Sequence, residues 1–242
     1  MPYASLALGC LPYLTATVLA LGLARRLGRW RRAKTPPAPL FPAATSRPAA
    51  WAGIGREICL LAGRRATWTW GIAAAWALHA ALALMALGHL RVLTDFPRLW
   101  ARLGLAPQAV DRLADVSGSL LGGVALAAVL LLALRRLASP RLRAITRPGD
   151  ALTLALLGAV LASGLAMRLA GPVDLGPVRA YFAALARLRP VPLPDAPGFA
   201  AHFLLAQALA AALPFSKLLH ALGVFPAKAG LVADSGGLPA GT

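Results

Sequence analysis

Five long apolar stretches without an acidic residue constrain the fold of this chain more than any other feature. They cover residues 3–23, 67–90, 116–134, 151–167 and 199–222. A helix needs about 20 apolar residues to cross a hydrocarbon core of roughly 30 Å. The stretches therefore predict an all-α integral membrane bundle of five transmembrane helices, formed as a single domain over residues 1–242.

The distribution of basic residues predicts how this bundle is oriented. The formal charge is +17, but the 25 Lys and Arg residues cluster beside the apolar stretches, which is typical of membrane topology rather than of nucleic-acid binding. Ten lie between 24 and 66, where a Pro-rich linker (35–66) occurs, and five lie between 135 and 149. Because Lys and Arg accumulate on the cytoplasmic side, we expect the N-terminus outside and the C-terminus in the cytoplasm. The expected location is the inner membrane of a bacterium.

All four histidines of the chain lie inside two of the predicted spans. His79 and His89 are in the second span, and His202 and His220 are in the fifth. These two spans run antiparallel, so His79 is predicted to meet His220 near the cytoplasmic side and His89 to meet His202 near the outer side. His202 and His220 are 18 residues apart, about 27 Å along a helix, whereas His79 and His89 are about 15 Å apart along theirs. A bend at Pro214 is expected to absorb part of this difference.

Two facing imidazoles are suited to binding haem iron across its planar macrocycle. A zinc site needs a third or fourth ligand, and neither span contains a carboxylate or a cysteine. The two cysteines of the chain, Cys10 and Cys59, are too few for an iron–sulfur cluster. Many alanines beside the histidines leave room for a ring. The alternative is a non-redox membrane scaffold whose histidines only link helices by hydrogen bonds; a metal transporter would need more polar groups along a path.

Several motifs of the chain are similar to those of a known family. They are LPYL at 11–14, the histidine pair ten residues apart, RRLASPRLRAITRPGD at 135–150, and LPFSKLLH at 213–220 with a histidine 18 residues before its own. With these motifs the chain resembles the membrane cytochrome b subunit of respiratory nitrate reductase, the gamma subunit, and the related DsrM-type cytochrome of the sulfite-reduction-associated complex. The segments PLFPAATSR, WAGIGREICLL and FSKLLH look more like the DsrM-type branch.

The resemblance implies a dihaem b-type cytochrome, the electron-transfer subunit of a quinol-linked oxidoreductase complex. It implies axial iron ligation by His79 with His220 and by His89 with His202, a quinone site beside the outer haem, and a cytoplasmic iron–sulfur partner subunit in a hetero-oligomeric complex. In the nitrate reductase branch, a lysine in the loop after the second span assists the quinone. This chain has only arginines as basic residues in that loop, namely Arg91, Arg98, Arg102 and Arg112.

Overall fold

The computed structural model describes most of the chain, in four long ranges and four isolated positions. These are residues 2–32, 69–171, 174–196 and 198–220, with 48, 52, 55 and 56. All regular secondary structure in these ranges is helical. The Pro-rich linker predicted at 35–66 lies outside the described residues apart from the isolated positions, and so does Cys59, while Cys10 is a free thiol.

Eight α-helices, numbered α1 to α8 in chain order, make up these ranges. They are Pro2–Arg32, Trp70–His89, Pro97–Arg102, Pro107–Ala138, Pro140–Ile145, Pro148–Leu169, Leu175–Ala186 and Phe199–Ala212. Three 3-10 turns continue them at Leu90–Val92, Leu213–Phe215 and Lys217–Leu219.

Four segments of these helices are long and apolar enough to cross a membrane. They are Leu8–Trp30, Trp70–Val92, Pro107–Ala138 and Pro148–Leu169. The chain is therefore an all-helical, multi-pass membrane protein. The fifth predicted span corresponds to a shorter apolar helical segment, Phe199–Phe215, so the crossing of the membrane by this segment stays a prediction.

Helix α4 is longer than the apolar stretch at its centre. It begins at Pro107 rather than at residue 116, because proline is well tolerated in the first turn and Val110 is buried there at 3% exposure. Helix α6 also begins with a proline, Pro148, and the Asp150 carboxylate accepts a hydrogen bond from the backbone N–H of Arg147 at 3.0 Å. Asp150 therefore caps α6 from within its first turn.

A core of small and branched apolar residues joins α2, α4 and α6. Its buried members are Leu78, Ala81, Ala125, Ala128, Val129, Leu157 and Leu161, with Leu209 of α8 packed at its edge. Helix α2 packs on α4, α4 on α6, α6 on α8, and α8 on α1. This order of packing leaves one face of α2 turned toward α8, and the histidines lie on that side.

An aromatic cluster fixes the start of α8 against α7. Tyr181 contacts Phe199 and Phe203 edge to face, with ring centroids 6.5 and 5.6 Å apart. Such contacts between aromatic rings stabilise packing beyond the area they bury. The Tyr13 hydroxyl of α1 donates a hydrogen bond to the Leu185 carbonyl at 3.0 Å. The beginning of α8, one turn from His202, is thus packed against α7, and the end of α7 is in turn held by α1.

Candidate functional site

The four histidines meet in two pairs between α2 and the segment that begins with α8. The Nε2 atoms of His79 and His220 are 3.3 Å apart, and their ring centroids are 5.6 Å apart at an angle of 72°. The rings of His89 and His202 are nearly parallel, at 22°, with centroids 6.5 Å apart. These are the two pairs that an antiparallel arrangement predicts, and their role as ligands stays a prediction.

Helix α2 orients both of its histidines in the same way. The Nδ1 atom of His79 lies 2.6 Å from the Ala75 carbonyl oxygen, and that of His89 lies 2.7 Å from the Met85 carbonyl oxygen. A carbonyl oxygen only accepts, so each Nδ1 carries the proton and donates it to the turn before. The Nε2 atom of each neutral ring is then left with a free lone pair.

His220 reaches its partner because the last apolar segment is not a single straight helix. Helix α8 ends at Ala212, and Pro214, which has no backbone N–H, lies in the 3-10 turn that follows. Ser216 is extended, with φ −104° and ψ 167°, and redirects the chain into the turn before His220. The interruption predicted at Pro214 is therefore present. The His220 Nδ1 atom lies 2.8 Å from the Lys217 carbonyl oxygen, which again leaves Nε2 unprotonated.

An arginine of α1 satisfies the backbone that this interruption exposes. The Arg26 guanidinium donates from Nε to the Pro214 carbonyl at 3.0 Å and from Nη2 to the Ser216 carbonyl at 3.5 Å. Gly22, one turn before it, lies so close to the proline ring that a Cβ atom there would overlap with it. A buried carbonyl without a partner is costly, so α1 stabilises the bend that positions His220.

His202 is oriented by a neighbouring helix rather than by its own. Its Nδ1 atom lies 3.0 Å from the Ser163 hydroxyl oxygen of α6, and that hydroxyl donates its proton to the Val160 carbonyl at 3.0 Å. With the Ser163 proton assigned to the Val160 carbonyl, the hydroxyl oxygen accepts from the ring, and His202 is assigned the same tautomer as the other three histidines, with its proton on Nδ1. Gly164 lies against the same ring: a Cβ atom there would come within 2.9 Å of the His202 Cε1 atom.

The four orientations together give an unusual donor set. Each Nδ1 atom donates to an oxygen, so each Nε2 atom of a neutral ring presents a lone pair. In the His79–His220 pair two such lone pairs face each other without a proton between them, which is repulsive unless an electrophile joins them. Two bonds of about 2 Å, like those of zinc to imidazole, span about 4 Å when a metal ion lies in line between the nitrogens, so the two rings at 3.3 Å would move apart by roughly 0.7 Å to bind one ion from opposite sides. Metal-binding histidines commonly donate their other N–H to a carbonyl.

The surroundings of the rings fit a flat ligand better than a compact metal site. Among the described residues there is no cluster of three or more His, Cys, Asp or Glu side chains that could hold a metal ion. Ala83, Ala86 and Gly88 of α2 are exposed near the histidines, whereas Ala74 and Ala81 pack into the core. The pairs therefore have the donors and the small neighbours that bis-histidine haem requires.

A charged network occupies the end of α2 beyond His89. Arg91, whose side chain is 12% exposed, pairs with Asp95 at 2.6 Å and with Asp111 at 2.8 Å. Arg179 of α7 pairs with Asp95 at 2.9 Å and donates to the Arg91 carbonyl. The first arginine of this loop is therefore paired within the protein and ties α2, α4 and α7 together.

Three residues of the site were not found from the sequence: Ser163, Gly164 and Arg26. The first two form a Ser-Gly step inside an apolar stretch, a pattern that permits close helix contact and polar links in membranes. Arg26 lies in a run of basic residues whose general role is to set orientation. Its contact with a carbonyl 188 positions away along the chain has no local signal.

Comparisons with known proteins give a family and a related membrane subunit. A sequence model of the nitrate reductase gamma subunit family matches residues 67–228, a range that includes all four histidines. A protein of Archaeoglobus fulgidus, the Hdr-like menaquinol oxidoreductase cytochrome b-like subunit, is 40% identical over 104 residues. That alignment covers 41% of this chain and 31% of the relative, so the chain spans about a third of that relative's length. No solved structure matches the chain.

Proposed function

The chain belongs to the nitrate reductase gamma subunit family, and from that premise we propose that it is a membrane dihaem b-type cytochrome subunit. It transfers electrons between the quinone pool and a cytoplasmic iron–sulfur partner subunit of a respiratory complex of the nitrate reductase gamma or DsrM type. The cytochrome b-like name of the Archaeoglobus relative and its menaquinol oxidoreductase complex support this proposal.

The observation that carries the proposal is the common orientation of four imidazoles. Each ring donates from Nδ1 and leaves Nε2 free, and the rings face each other in two pairs. A scaffold in which His79 and His220 bond each other directly needs an N–H on one Nε2 atom aimed at a lone pair on the other. Both Nδ1 atoms of this pair already have carbonyl acceptors, which leaves the two Nε2 atoms 3.3 Å apart and available as ligands, and this supports coordination.

The proposed topology places the two pairs at different depths. With five spans and the N-terminus outside, His79 and His220 lie toward the cytoplasm, and His89 and His202 lie toward the outer side. Thr69 and the carboxyl end of α4 then face the cytoplasm, where Arg135 stacks over the Trp70 ring at 5.7 Å. Basic residues gathered at that side agree with the bias that sets membrane orientation.

Different residues of the chain would bind the haem irons and orient the ligand rings in such a cytochrome. Haem iron, when bound, supplies a one-electron couple between its ferric and ferrous states at each pair. The four Nε2 atoms would bind the two irons, and the carbonyls of Ala75, Met85 and Lys217 would hold three of the rings in place. Hydrogen bonding to the ligands would adjust the potentials.

A reduced-minus-oxidised difference spectrum of the purified protein tests this function. We expect a b-type absorption band, and a haem assay that gives two haems per chain. Purification with an affinity tag from the native membrane is expected to recover an iron–sulfur protein with the cytochrome. A colourless protein from haem-replete cells would contradict the proposal and favour the scaffold.

A further inference from the structure

We propose that the Ser163 hydroxyl is a positioning group that sets the redox potential of the iron held by His89 and His202. This inference rests on the proposed dihaem function. It states that one residue, Ser163, affects the redox potential of one of the two haem centres. It starts from an asymmetry among the four histidines. His79, His89 and His220 donate to carbonyls of their own helical segment, and His202 donates to a side chain of another helix.

The position of His202 at the start of α8 differs from the positions of His79 and His89, which lie inside α2. His79 and His89 bond the carbonyl four residues earlier in a regular helix. The corresponding residue for His202 is Gly198, which precedes α8 with a left-handed backbone at φ 73°, and its carbonyl accepts from the His202 backbone N–H at 3.0 Å. The ring instead turns toward α6 and meets Ser163.

The hydroxyl is arranged to accept from the ring and not to donate to it. Ser163 is half-buried, and its proton goes to the Val160 carbonyl at 3.0 Å within α6. A hydroxyl that donates in this way is a stronger acceptor, since hydrogen bonds in a chain polarise one another. The His202 ring is therefore fixed with its proton on Nδ1, and the absence of a side chain at Gly164 lets it lie flat against α6.

The direction of the effect follows from the charge on iron. A hydrogen bond from Nδ1 increases the electron donation of Nε2, and this stabilises ferric iron more than ferrous iron. Removing the acceptor is therefore expected to raise the midpoint potential of this centre. Among the described residues, Ser163 forms no hydrogen bond with His79 or His220, so the other centre is expected to keep its potential.

Potentiometric titration of the haem bands in the full-length protein is the test. In Ser163→Ala, we expect the midpoint potential of the His89–His202 centre to rise. At a fixed ambient potential, its ratio of reduced to oxidised iron should increase about three- to tenfold. A tenfold change corresponds to about 59 mV for a one-electron couple. The centre is identified as the band that is lost in His89→Ala. Ser163→Thr keeps the hydroxyl and is expected to behave like the wild type.

Thr153→Val is the matched control on the same helix. Thr153 also donates its hydroxyl proton to a carbonyl of α6, that of Gly149, and forms no hydrogen bond with a histidine among the described residues. We expect no shift of either potential in this variant. An unchanged potential in Ser163→Ala, or an equal shift of both centres, would overturn the inference.

Two further outcomes keep the inference separate from the proposed function. If Ser163→Ala loses the centre, Ser163→Cys, with a weaker acceptor of similar size, is expected to retain it with a smaller upward shift, and loss in both variants counts against a role in tuning. A wild-type protein without haem would contradict the function and the inference together. A wild-type protein with two haems and no response at Ser163 would contradict the inference alone.

Discussion

The two histidine pairs use one pair of helical segments but depend on different parts of the molecule. The His89–His202 pair has both residues on regular α-helices, and α6 orients His202 by direct packing. The His79–His220 pair has one residue beyond a proline break, and α1 satisfies the backbone there. Similar chemistry is thus supported by close packing at one pair and by polar contacts to a broken backbone at the other.

The largest expected effect comes from removing one histidine of each pair. His79→Ala and His89→Ala are each expected to reduce the haem content from two per chain to one, because a bis-histidine site loses half its donors. Their losses should affect different bands in the difference spectrum. The same band missing from both variants would show that the pairs are not independent sites.

Gly164→Ala is expected to weaken the His89–His202 pair selectively. The added methyl group would come within 2.9 Å of the His202 Cε1 atom and force the ring or α6 to move, at a cost of about 1–3 kcal/mol. The measurement is the haem content of that pair together with the temperature of unfolding in detergent. Gly158→Ala in the same helix is the control, since its Cβ would lie in ordinary contact with Val129 at 3.6 Å. Equal behaviour of the two variants would contradict the close-packing argument.

Arg26→Met is expected to affect the other pair. It leaves the carbonyls of Pro214 and Ser216 without their donor, which costs about 1–3 kcal/mol for a buried polar group. We expect faster loss of haem from the His79–His220 pair and a lower unfolding temperature, with the His89–His202 band retained. Arg29→Met, an exposed arginine on the same helix, is the control. If both bands decline together in Arg26→Met, the division between the pairs is wrong.

Lys217→Gln should have the smallest effect. The Lys217 ammonium pairs with Asp150 at 2.6 Å; the Asp150 side chain is 10% exposed, but that of Lys217 is 64% exposed, so solvent screens the pair and we expect a contribution near the range of about 0–1 kcal/mol found for surface pairs. Asp150 also keeps its bond from the Arg147 backbone. Unfolding temperatures at low and high salt are the measurement, and the difference from the wild type is expected to shrink as salt rises. A loss as large as that of Arg26→Met would show that this ion pair, rather than the arginine, holds the bend.

The pairing of the histidines was accessible from the sequence because it depends on regular geometry. A fixed rise per residue, antiparallel neighbours and a proline at a known position are enough to match His79 with His220 and His89 with His202. The start of α4 at Pro107 was missed because its first turns are not apolar enough to extend the stretch at 116–134. Ser163, Gly164 and Arg26 were missed for another reason: each acts through a contact between helices that no periodicity encodes.

The hydrogen bond from Arg26 of α1 to the Pro214 carbonyl has a consequence for the order of assembly during synthesis. Arg26 lies 188 positions before the Pro214 carbonyl that it binds. Chains are made from the N-terminus onward, so this contact forms only after the four helices long enough to cross a membrane have been synthesised. The site at His79 and His220 is therefore completed after those helices, and any cofactor that it takes up is inserted into a chain whose earlier spans are already made.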